Sequence, residues 1–349
     1  MDKKGKDTHI LVIRLSAMGD VAMTVPVLGE VVANYSKIKL TVLTKKQFVP
    51  LFSELKNTSV YVADIKNRHK GLLGLWRLYR ELKILQIDYV ADLHNVLRSQ
   101  ILKKYFTLGR IPFVQLDKGR AEKKALTRTS NKILKQLRPT HQRYADVFEN
   151  LGFPIDISQA KPMGRLPLSQ KTLDFVEQDS KKWIGIAPFA AFVGKTYPLH
   201  LMEEVIKELS NTDRYKIILF GGGVGEIKKL ETLETKFKDV ISVAGKLNLA
   251  EELELISNLD LMVSMDSGNA HLAANYGIQV LTLWGVTHPY AGFYPFNQPA
   301  ENALLSDRAK YPWIPTSVYG NKFPKGYEKA METITPLKVL KKINEILCH

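Results

Sequence analysis

A tight polar turn in the last third of the sequence carries the clearest chemical signal. Asp266, Ser267, Gly268 and Asn269 follow an apolar run and precede a stretch of helical composition. The free backbone N–H groups of such a helix start suit an anion, because the helix dipole adds positive potential there. His271 falls in the first turn of that helix. We therefore interpret this turn as a diphosphate site, although a lone histidine on an apolar helix is often structural.

Two further turns carry groups that suit a nucleotide. Lys195 follows the strand-like run Trp183–Ala187, and its ammonium could reach a phosphate as a point charge. Glycines 221–223 precede Glu226, whose carboxylate could accept hydrogen bonds from ribose hydroxyls. The glycines lack the spacing of a dinucleotide fingerprint. A solvated lysine and an ordinary acidic first turn of a helix are the structural alternatives for these two residues.

Asp20 is the candidate general base. It comes after the strand-like run Ile10–Leu15 and a turn that contains Gly19, so we expect it at the carboxyl edge of a sheet. A carboxylate there could take a proton from an acceptor hydroxyl. The alternative is a helix N-cap, for which Asp is favoured. A helix start would also make the carboxylate a weak base, so that proton transfer would come late in the reaction.

Strand-like and helix-like segments alternate along the whole chain. Helical stretches such as Val25–Tyr35 and Leu72–Leu85 separate short apolar runs, and this alternation predicts parallel sheets covered by helices on both faces. The predicted strands are Ile10–Leu15, Lys39–Leu43, Tyr89–Leu93, Ile111–Val114, Trp183–Ala187, Lys216–Phe220, Val240–Val243, Leu261–Ser264 and Val280–Trp284.

The length of 349 residues favours two domains. The segment Phe153–Leu168 is rich in Pro, Gly and polar residues and is interpreted as a linker. We predict an N-terminal domain at 1–160, a C-terminal domain at 161–335 and a terminal helix at 336–349. The fold class is α/β, with two Rossmann-like, doubly wound domains that face a central cleft, where ligands usually bind.

The formal charge of +15 is concentrated in one stretch. Residues Lys103–Arg143 contain twelve Lys or Arg against Asp117 and Glu122. Such a stretch favours nucleic acid, anionic lipid or a phosphorylated substrate, or is simply a solvated surface. No nucleic-acid-binding motif is recognised, so we predict no nucleic-acid partner. The segment Leu72–Leu85 adds apolar and basic residues that could contribute to membrane binding, but we favour a core-facing helix with a basic outer face.

Several classes of protein are disfavoured by composition. No apolar run is long enough to span a bilayer. Arg14 and Asp20 interrupt the apolar run that would otherwise suggest a signal peptide, so a cytoplasmic protein is expected. Cys348 is the single cysteine, which excludes a disulfide framework within one chain. Asp266 has no D-x-D partner for Mg²⁺. We predict neither a metal site nor a cofactor.

Taken together, these segments resemble glycosyltransferase family 9, the ADP-heptose:lipopolysaccharide heptosyltransferases. The resemblance covers most of the chain in family order, and its last motif is long and specific. Asn269 and Tyr197 stand where the family usually has Pro and Trp. The matching segments are RLSAMGDVAMTVP from Arg14, ADLHNVLRS from Ala91, HQRY from His141, KTYP from Lys195, FGGGVGE from Phe220, and DSGNAHLAANYGIQVLTLWGVTHP from Asp266.

The resemblance implies a GT-B fold and an inverting, metal-independent transfer from an ADP-sugar bound by the C-terminal domain. It implies Asp20 as the catalytic base. The donor-binding residues that it implies are Lys195, Ser267 and Gly268 at the diphosphate, Glu226 at the ribose, and Asp266 and His271 near the donor sugar or phosphates.

The resemblance also implies a phosphorylated, Kdo-bearing lipid A acceptor. We predict that Arg98, Arg120 and Arg143 bind it, and that the protein is peripheral on the inner face of the cytoplasmic membrane. Three alternatives remain open at this point: the same fold with another nucleotide sugar, a non-catalytic nucleotide-sugar-binding protein, and a nucleic-acid-binding protein.

Overall fold

A computed structural model describes residues 7–177 and 179–348. The chain divides into two compact units, one of Met1–Gly119 with Arg138–Lys161 and one of Arg120–Leu137 with Pro162–His349. The division at Lys161 lies beside the predicted boundary. The grouping of Arg120–Leu137 with the second unit was not predicted. The outermost parts of the predicted domains, 1–6 and 349, lie outside the described residues.

The first unit is built on a five-stranded sheet in the order β3-β2-β1-β4-β5. Every pair of neighbouring strands in it is parallel. The chain therefore returns to the same sheet edge after each crossover, and all five strands end at one carboxyl edge. The strands are β1 (Thr8–Ile13), β2 (Ile38–Thr44), β3 (Thr58–Val62), β4 (Tyr89–Asp92) and β5 (Phe113–Gln115).

The second unit has a six-stranded sheet in the order β11-β10-β9-β6-β7-β8, again with parallel pairs throughout. The central strands β9 and β6 pair with Ile184 opposite Leu261. The strands are β6 (Lys182–Ala187), β7 (Tyr215–Leu219), β8 (Val240–Ser242), β9 (Leu261–Met265), β10 (Gln279–Trp284) and β11 (Ala303–Leu305).

Helices connect most of the successive strands in both units. They are α1 (Met18–Ala22), α2 (Val25–Asn34), α3 (Gly71–Ile84), α4 (Leu97–Leu108), α5 (Arg120–Thr127), α6 (Thr140–Asn150), α7 (Gln170–Val176), α8 (Leu199–Ser210), α9 (Val224–Lys236), α10 (Leu249–Ser257), α11 (Gly268–Asn275) and α12 (Pro336–Leu347). Short 3₁₀ segments lie at Lys46–Phe52, Ile157–Gln159, Val193–Lys195, Pro289–Ala291, Ala300–Asn302 and Ala330–Thr333. Within the described ranges, no helix is both long and apolar enough to cross a bilayer.

Apolar side chains of each sheet are covered by helices. In the first unit, Leu11 and Val90 pack with Leu78 of α3 and Phe106 of α4. In the second, the core includes Val263 with residues of α8 and α12. Burial on both faces explains why the central strands are continuously apolar rather than alternating. The rigid sheets hold the turns at their carboxyl edges, where the candidate residues lie.

All nine predicted strands are present in the structure, and the predicted parallel α/β architecture is confirmed. Two strands were missed, β3 and β11, which lie at the edges of their sheets. The residues of β3 are all partly or fully exposed, and β11 has three residues. Edge strands of this kind lack the continuous apolar run that identifies a buried strand.

Candidate functional site

The polar turn after β9 has the geometry of a helix start. Asp266 is buried, Ser267 is the extended N-cap residue of α11, and Gly268 begins the helix. The hydroxyls of Ser264 and Ser267 lie 3.0 Å apart, which ties the turn to the end of the strand. His271 is buried in the first turn of α11. The structure therefore brings together the four residues that the sequence predicted at this turn.

Lys195 lies beside this turn. Its ammonium is 3.3 Å from a carboxylate oxygen of Asp266, and the side chains of both residues are largely buried. The alternative of a solvated surface lysine is therefore wrong. Because β6 and β9 are neighbours, the loops that follow them meet at one sheet edge, which explains the pairing. An anion that entered here would meet the ammonium next to the start of α11.

Three glycines allow the backbone to close around Lys195. A Cβ on Gly285 would overlap the carbonyl oxygen of Gly194, and a Cβ on Gly320 would overlap the Lys195 side chain. The Val286 N–H donates to the Gly194 carbonyl at 2.9 Å, which fixes one loop against the next. Gly320 also has a positive φ of 76°, which side chains rarely adopt. The lysine stem is thus held between backbones.

Glu226 lies on the turn between β7 and α9. Its carboxylate accepts the Gly222 N–H at 2.8 Å and is partly exposed. Since β7 is the other neighbour of β6, this turn lies at the same edge of the sheet as Lys195. The carboxylate keeps free acceptor capacity for hydroxyl donors, because one hydrogen bond leaves most of its lone-pair sites open.

Asp20 is held by groups of the first unit. One carboxylate oxygen lies 2.6 Å from the Arg14 guanidinium and accepts the Ala17 N–H at 3.3 Å. The Tyr144 hydroxyl donates to the backbone carbonyl of Asp20 at 3.3 Å. Asp20 is the third residue of α1 and Ala17 is the N-cap residue, so Asp20 does not occupy the N-cap position, although its carboxylate caps the helix start through the Ala17 N–H. The side chain remains 29% exposed, which leaves the carboxylate open to a substrate hydroxyl.

Arg14 and His94 were missed by the sequence interpretation. Arg14 is buried, donates to the Leu93 carbonyl at 2.6 Å and pairs with Asp20. His94 is buried nearby, and burial together with the Arg14 guanidinium lowers its pKa to about 3. Its Nδ1 has no hydrogen-bond partner among the described residues. The available signal was an arginine inside the apolar run ILVIRL, since an arginine is rarely buried without a partner.

Thr287 and His288 lie in the loop after β10, and the sequence interpretation gave neither residue a chemical role. The Thr287 hydroxyl is buried and has no partner in the described part of the chain. Burial is the main reason why the pKa of His288 falls to about 4, with smaller contributions from Arg308 and Lys132. The His288 ring accepts the Tyr290 N–H at 3.1 Å, which requires an unprotonated nitrogen. The VTHP sequence was recognised within a longer motif but was given no separate role.

The three arginines predicted to bind the acceptor have different environments. Arg98 and Arg143 belong to the first unit and Arg120 to the second. Arg98 and Arg120 are exposed. Arg143 is buried under Gly119 and donates to the backbone carbonyls of Arg138 and Asp117 at 3.2 and 3.4 Å. Arg143 thus has a structural contact of its own, and acceptor binding by all three residues remains a prediction.

The basic stretch Lys103–Arg143 is divided between the units, because Arg120–Leu137 belongs to the second. Several of its cations are engaged internally, among them Lys103 with Gln115 and Arg138 with Asp146. The described residues contain no group of three or more His, Cys, Asp or Glu that could hold a metal ion.

Comparisons with known proteins agree with this architecture. The sequence model of glycosyltransferase family 9 (heptosyltransferase) matches residues 75–315. The lipopolysaccharide core heptosyltransferase OpsX of Haemophilus influenzae is 27% identical over 80% of this chain and 80% of its own. Lipooligosaccharide heptosyltransferase 2 of the same organism is 27% identical over 97% and 99%.

Solved structures show the same fold. A family 9 glycosyltransferase from Veillonella parvula superposes with a TM-score of 0.76 over 98% of both chains at 19% identity. The heptosyltransferase WaaC of E. coli with ADP gives a TM-score of 0.66 at 20% identity, covering 97% of this chain and all of that one. The chain therefore has the GT-B fold and belongs to glycosyltransferase family 9, the heptosyltransferases.

Proposed function

We propose that this enzyme transfers a heptose from ADP-heptose to a phosphorylated lipopolysaccharide core–lipid A precursor. The observation that carries the proposal is the buried Lys195 ammonium beside the Ser267–Gly268 helix start, an arrangement suited to a diphosphate. Relatives that act on lipopolysaccharide or lipooligosaccharide support the acceptor class. The E. coli structure that holds ADP supports the donor class.

The second unit binds the donor in this proposal. Lys195 and the backbone N–H groups at Ser267 and Gly268 hold the diphosphate, and Glu226 accepts hydrogen bonds from the ribose hydroxyls. Asp266 orients the Lys195 ammonium through their 3.3 Å contact, while His271 lies near the donor sugar or its phosphates. Negative charge grows on the diphosphate as the sugar leaves, and preorganised donors are most effective where charge develops.

Asp20 is the catalytic base in this proposal. The acceptor oxygen forms a bond to the anomeric carbon from the face opposite the diphosphate, the bond to the phosphate oxygen breaks, and the configuration inverts. The proton of the acceptor hydroxyl passes to the Asp20 carboxylate, and ADP leaves with the bonding electrons. The ion pair with Arg14 holds the Asp20 carboxylate in place, and proton transfer to it comes late in the reaction, once the sugar carbon is cationic. No metal ion takes part.

The acceptor is anionic, so cations of the protein are expected to bind it. We assign this role to Arg98, Arg120 and Arg143, as the sequence predicted. The enzyme would meet its lipid substrate as a peripheral protein on the inner face of the cytoplasmic membrane. Basic residues near an anionic lipid surface each contribute about 1 kcal/mol, so a few are enough for reversible association.

The donor is tested by thermal stabilisation of the full chain with ADP-, UDP- and GDP-sugars, because a bound ligand stabilises the folded state. We expect ADP-heptose and free ADP to stabilise the protein, and UDP- and GDP-sugars to have no effect. Stabilisation by a UDP- or GDP-sugar instead would assign another donor. Transfer is then measured with ADP-heptose and a Kdo–lipid A acceptor in detergent, with and without EDTA. An EDTA-sensitive rate, or a product with retained anomeric configuration, would contradict the mechanism.

The base is tested with Asp20→Asn. Loss of general base catalysis should lower kcat by about 10²- to 10⁴-fold, with folding and ADP stabilisation retained. The control is Glu54→Gln, which removes an exposed carboxylate of the same unit and should leave the rate unchanged. Wild-type turnover by a folded Asp20→Asn protein would remove Asp20 from the mechanism.

A further inference from the structure

Helix α3 exposes large apolar side chains on the side for which we favoured a basic face. Its inner side is buried in the core of the first unit, as expected. Its outer side was expected to be basic, yet Leu73 and Ile84 are 85% and 79% exposed and Trp76 is 43% exposed. Arg77, Arg80 and Lys83 are exposed on the same side. Positions 73, 76, 77, 80, 83 and 84 have the spacing of one helix face, on which three cationic side chains lie between large apolar ones.

Helix α4 extends this surface. Tyr105 packs edge-on against Trp76 with ring centroids 5.1 Å apart, and its hydroxyl lies 3.5 Å from the Leu72 carbonyl oxygen. Leu108, one turn further along α4, is 81% exposed, and Lys104 is exposed as well. The α3–α4 face is defined here by its apolar and its basic members, which are Leu72, Leu73, Trp76, Ile84 and Leu108 with Arg77, Arg80, Lys83 and Lys104.

The charge of the α3–α4 face is one-sided. The two helices contain six Lys or Arg and a single carboxylate, Glu81. That carboxylate is already engaged, since it pairs with Arg68 and accepts hydrogen bonds from Tyr61 and His69. Arg77, Arg80 and Lys83, by contrast, make no hydrogen bond or ion pair with any residue that the structure describes. Cations without internal partners are available to an external anionic surface.

We propose that the α3–α4 face docks the enzyme on an anionic lipid bilayer. This inference rests on the proposed function, in which the acceptor is a membrane lipid. Leu73, Trp76 and Ile84 enter the boundary between headgroups and acyl chains, while Arg77, Arg80 and Lys83 contact lipid phosphates. Apolar and basic residues interleaved on a helix lying in the plane of a membrane are typical of interfacial binding, and Trp favours that depth.

Lys104 and Leu108 of this surface belong to the basic stretch Lys103–Arg143, and charge complementarity favours the surface over the rest of that stretch, residues 109–143. Residues 109–143 are divided between two units, and Lys132 and Arg138 among them are engaged in internal contacts. They also offer few exposed large apolar residues beside their free cations, whereas α3 offers both along one side. From Leu73 to Ile84 the face runs about 16 Å, which is long enough to contact several headgroups.

The test is sedimentation of the full-length protein with vesicles of phosphatidylcholine alone or of phosphatidylcholine with phosphatidylglycerol, at low salt. We expect binding to the anionic vesicles only. Arg77→Gln/Arg80→Gln/Lys83→Gln should weaken that binding about 100-fold, since each cation contributes about one kcal/mol. Leu73→Gln/Ile84→Gln should weaken it at least tenfold. These side chains are exposed, so both variants should fold normally.

Matched controls are Lys207→Gln/Lys329→Gln/Lys341→Gln for charge and Leu337→Gln for apolar surface, all at exposed positions of the second unit. They should bind as the wild type does. Equal loss of binding in the charge control would overturn the proposal, because net charge alone would then explain the attraction. Dimers of the wild type that become monomers in Leu73→Gln/Ile84→Gln would overturn it too, by assigning the face to a second copy of the chain.

Transfer to a detergent-solubilised acceptor is measured in parallel, so the two proposals can fail separately. An enzyme that transfers heptose normally but ignores anionic vesicles contradicts the docking surface and leaves the proposed function intact. A protein that binds vesicles through the α3–α4 face but has no transferase activity contradicts the proposed function and leaves the docking surface intact. The α3 variants should keep wild-type rates in detergent and lose rate on acceptor embedded in vesicles.

Discussion

At the scale of single residues, the Arg14–Asp20 pair shows how a buried cation can position a partly exposed base. The Arg14 guanidinium uses one nitrogen for Asp20 and another for the Leu93 carbonyl, so it connects the candidate base to the end of β4. Its planar fork fixes two directions at once, which a lysine ammonium on a flexible stem does not do. We therefore regard Arg14 as a positioning residue for Asp20.

Arg14→Lys should keep the positive charge but lose the planar group that contacts Asp20 and the Leu93 carbonyl together. One of the two contacts must be given up, and hydrogen bonds to charged groups are worth about 1.5–3 kcal/mol, so kcat should fall about 10- to 100-fold. The KM for ADP-heptose should change little, because the donor is assigned to the second unit. Steady-state kinetics in the transfer assay measures both, and a thermal melt checks folding. A purely structural role would lower stability and leave the kcat of the folded fraction unchanged.

Two of the buried histidines, His94 and His288, predict an acid limit to stability. Their pKa values, about 3 for His94 and about 4 for His288, are lowered mainly by burial from the ordinary 6.5. Below pH 6.5 the unfolded chain takes up protons that the folded protein refuses, so stability is present above that pH and is lost as pH falls. From about pH 6.5 to pH 5, each histidine should cost about 2 kcal/mol.

Urea unfolding at several pH values measures this loss. His94→Gln and His288→Gln should each flatten the acid limb of the stability profile, and the exposed His200→Gln should not. An acid limb as steep as that of the wild type in both variants would show that carboxylates, rather than these imidazoles, bring about the loss.

Part of the candidate site could be predicted from the sequence because chemistry-bearing residues directly follow apolar strands. Asp20, Lys195 and Asp266 were found in this way, and the structure places each in the segment that follows a strand, with Asp20 in helix α1. The Lys195–Asp266 and Arg14–Asp20 pairs were not predicted. The first depends on strand order, since β6 and β9 are neighbours although the loops that follow them begin 78 positions apart, at Pro188 and Asp266. The second depends on how tightly the turn after β1 folds back.

At the scale of elements, the loop after β6 depends on glycine backbones from two other segments. The Lys195 stem lies against Gly320, and Gly285 lies against the loop through Gly194. A side chain at either position would have to displace the lysine or the loop. Sequence patterns identify glycines in turns but not which distant backbone approaches them, so this support could not be predicted.

Gly320→Ala should weaken donor binding. The new Cβ overlaps the Lys195 side chain, and alanine is strained at a φ of 76°. Displacing the ammonium from the diphosphate removes a charge-assisted contact, so the Kd for ADP should rise about 10- to 100-fold. Isothermal titration calorimetry with ADP measures the change. Gly164→Ala, where a Cβ meets nothing within 4 Å, is the matched control and should bind ADP normally. Wild-type affinity in Gly320→Ala would argue that Lys195 does not contact the diphosphate.

The strand pattern was predictable and the assignment of α5 was not. Central strands are buried on both faces, so their composition alone identifies them. Helix α5, in contrast, is strongly basic, and Leu126 is its one buried residue. A single apolar position cannot indicate which unit the helix packs against, because that information lies in the surface that receives it.

At the scale of the whole molecule, the chain passes between its two units three times, at 119–120, 137–138 and 161–162. The inserted segment Arg120–Leu137 packs its Leu126 and Leu137 with Ala291 and adjoining residues of the second unit. The Lys132 ammonium donates to the Pro315 carbonyl at 2.7 Å, and burial lowers its pKa to about 8. A segment from the first half of the sequence is therefore part of the fold of the donor-binding unit.

Leu126→Ala should consequently destabilise the second unit. Leu126 is fully buried, and removing a buried leucine side chain costs about 2–5 kcal/mol. Hydrogen–deuterium exchange measures where that loss falls, and we expect faster exchange in peptides of α10, α11 and β10, far from residue 126 in sequence. Ile133→Ala, in the same segment but 46% exposed, should change exchange little. ADP should restore protection in Leu126→Ala, because the ligand stabilises the unit that binds it. Faster exchange confined to β1–β5 would instead show that Leu126 and its segment pack against the first unit.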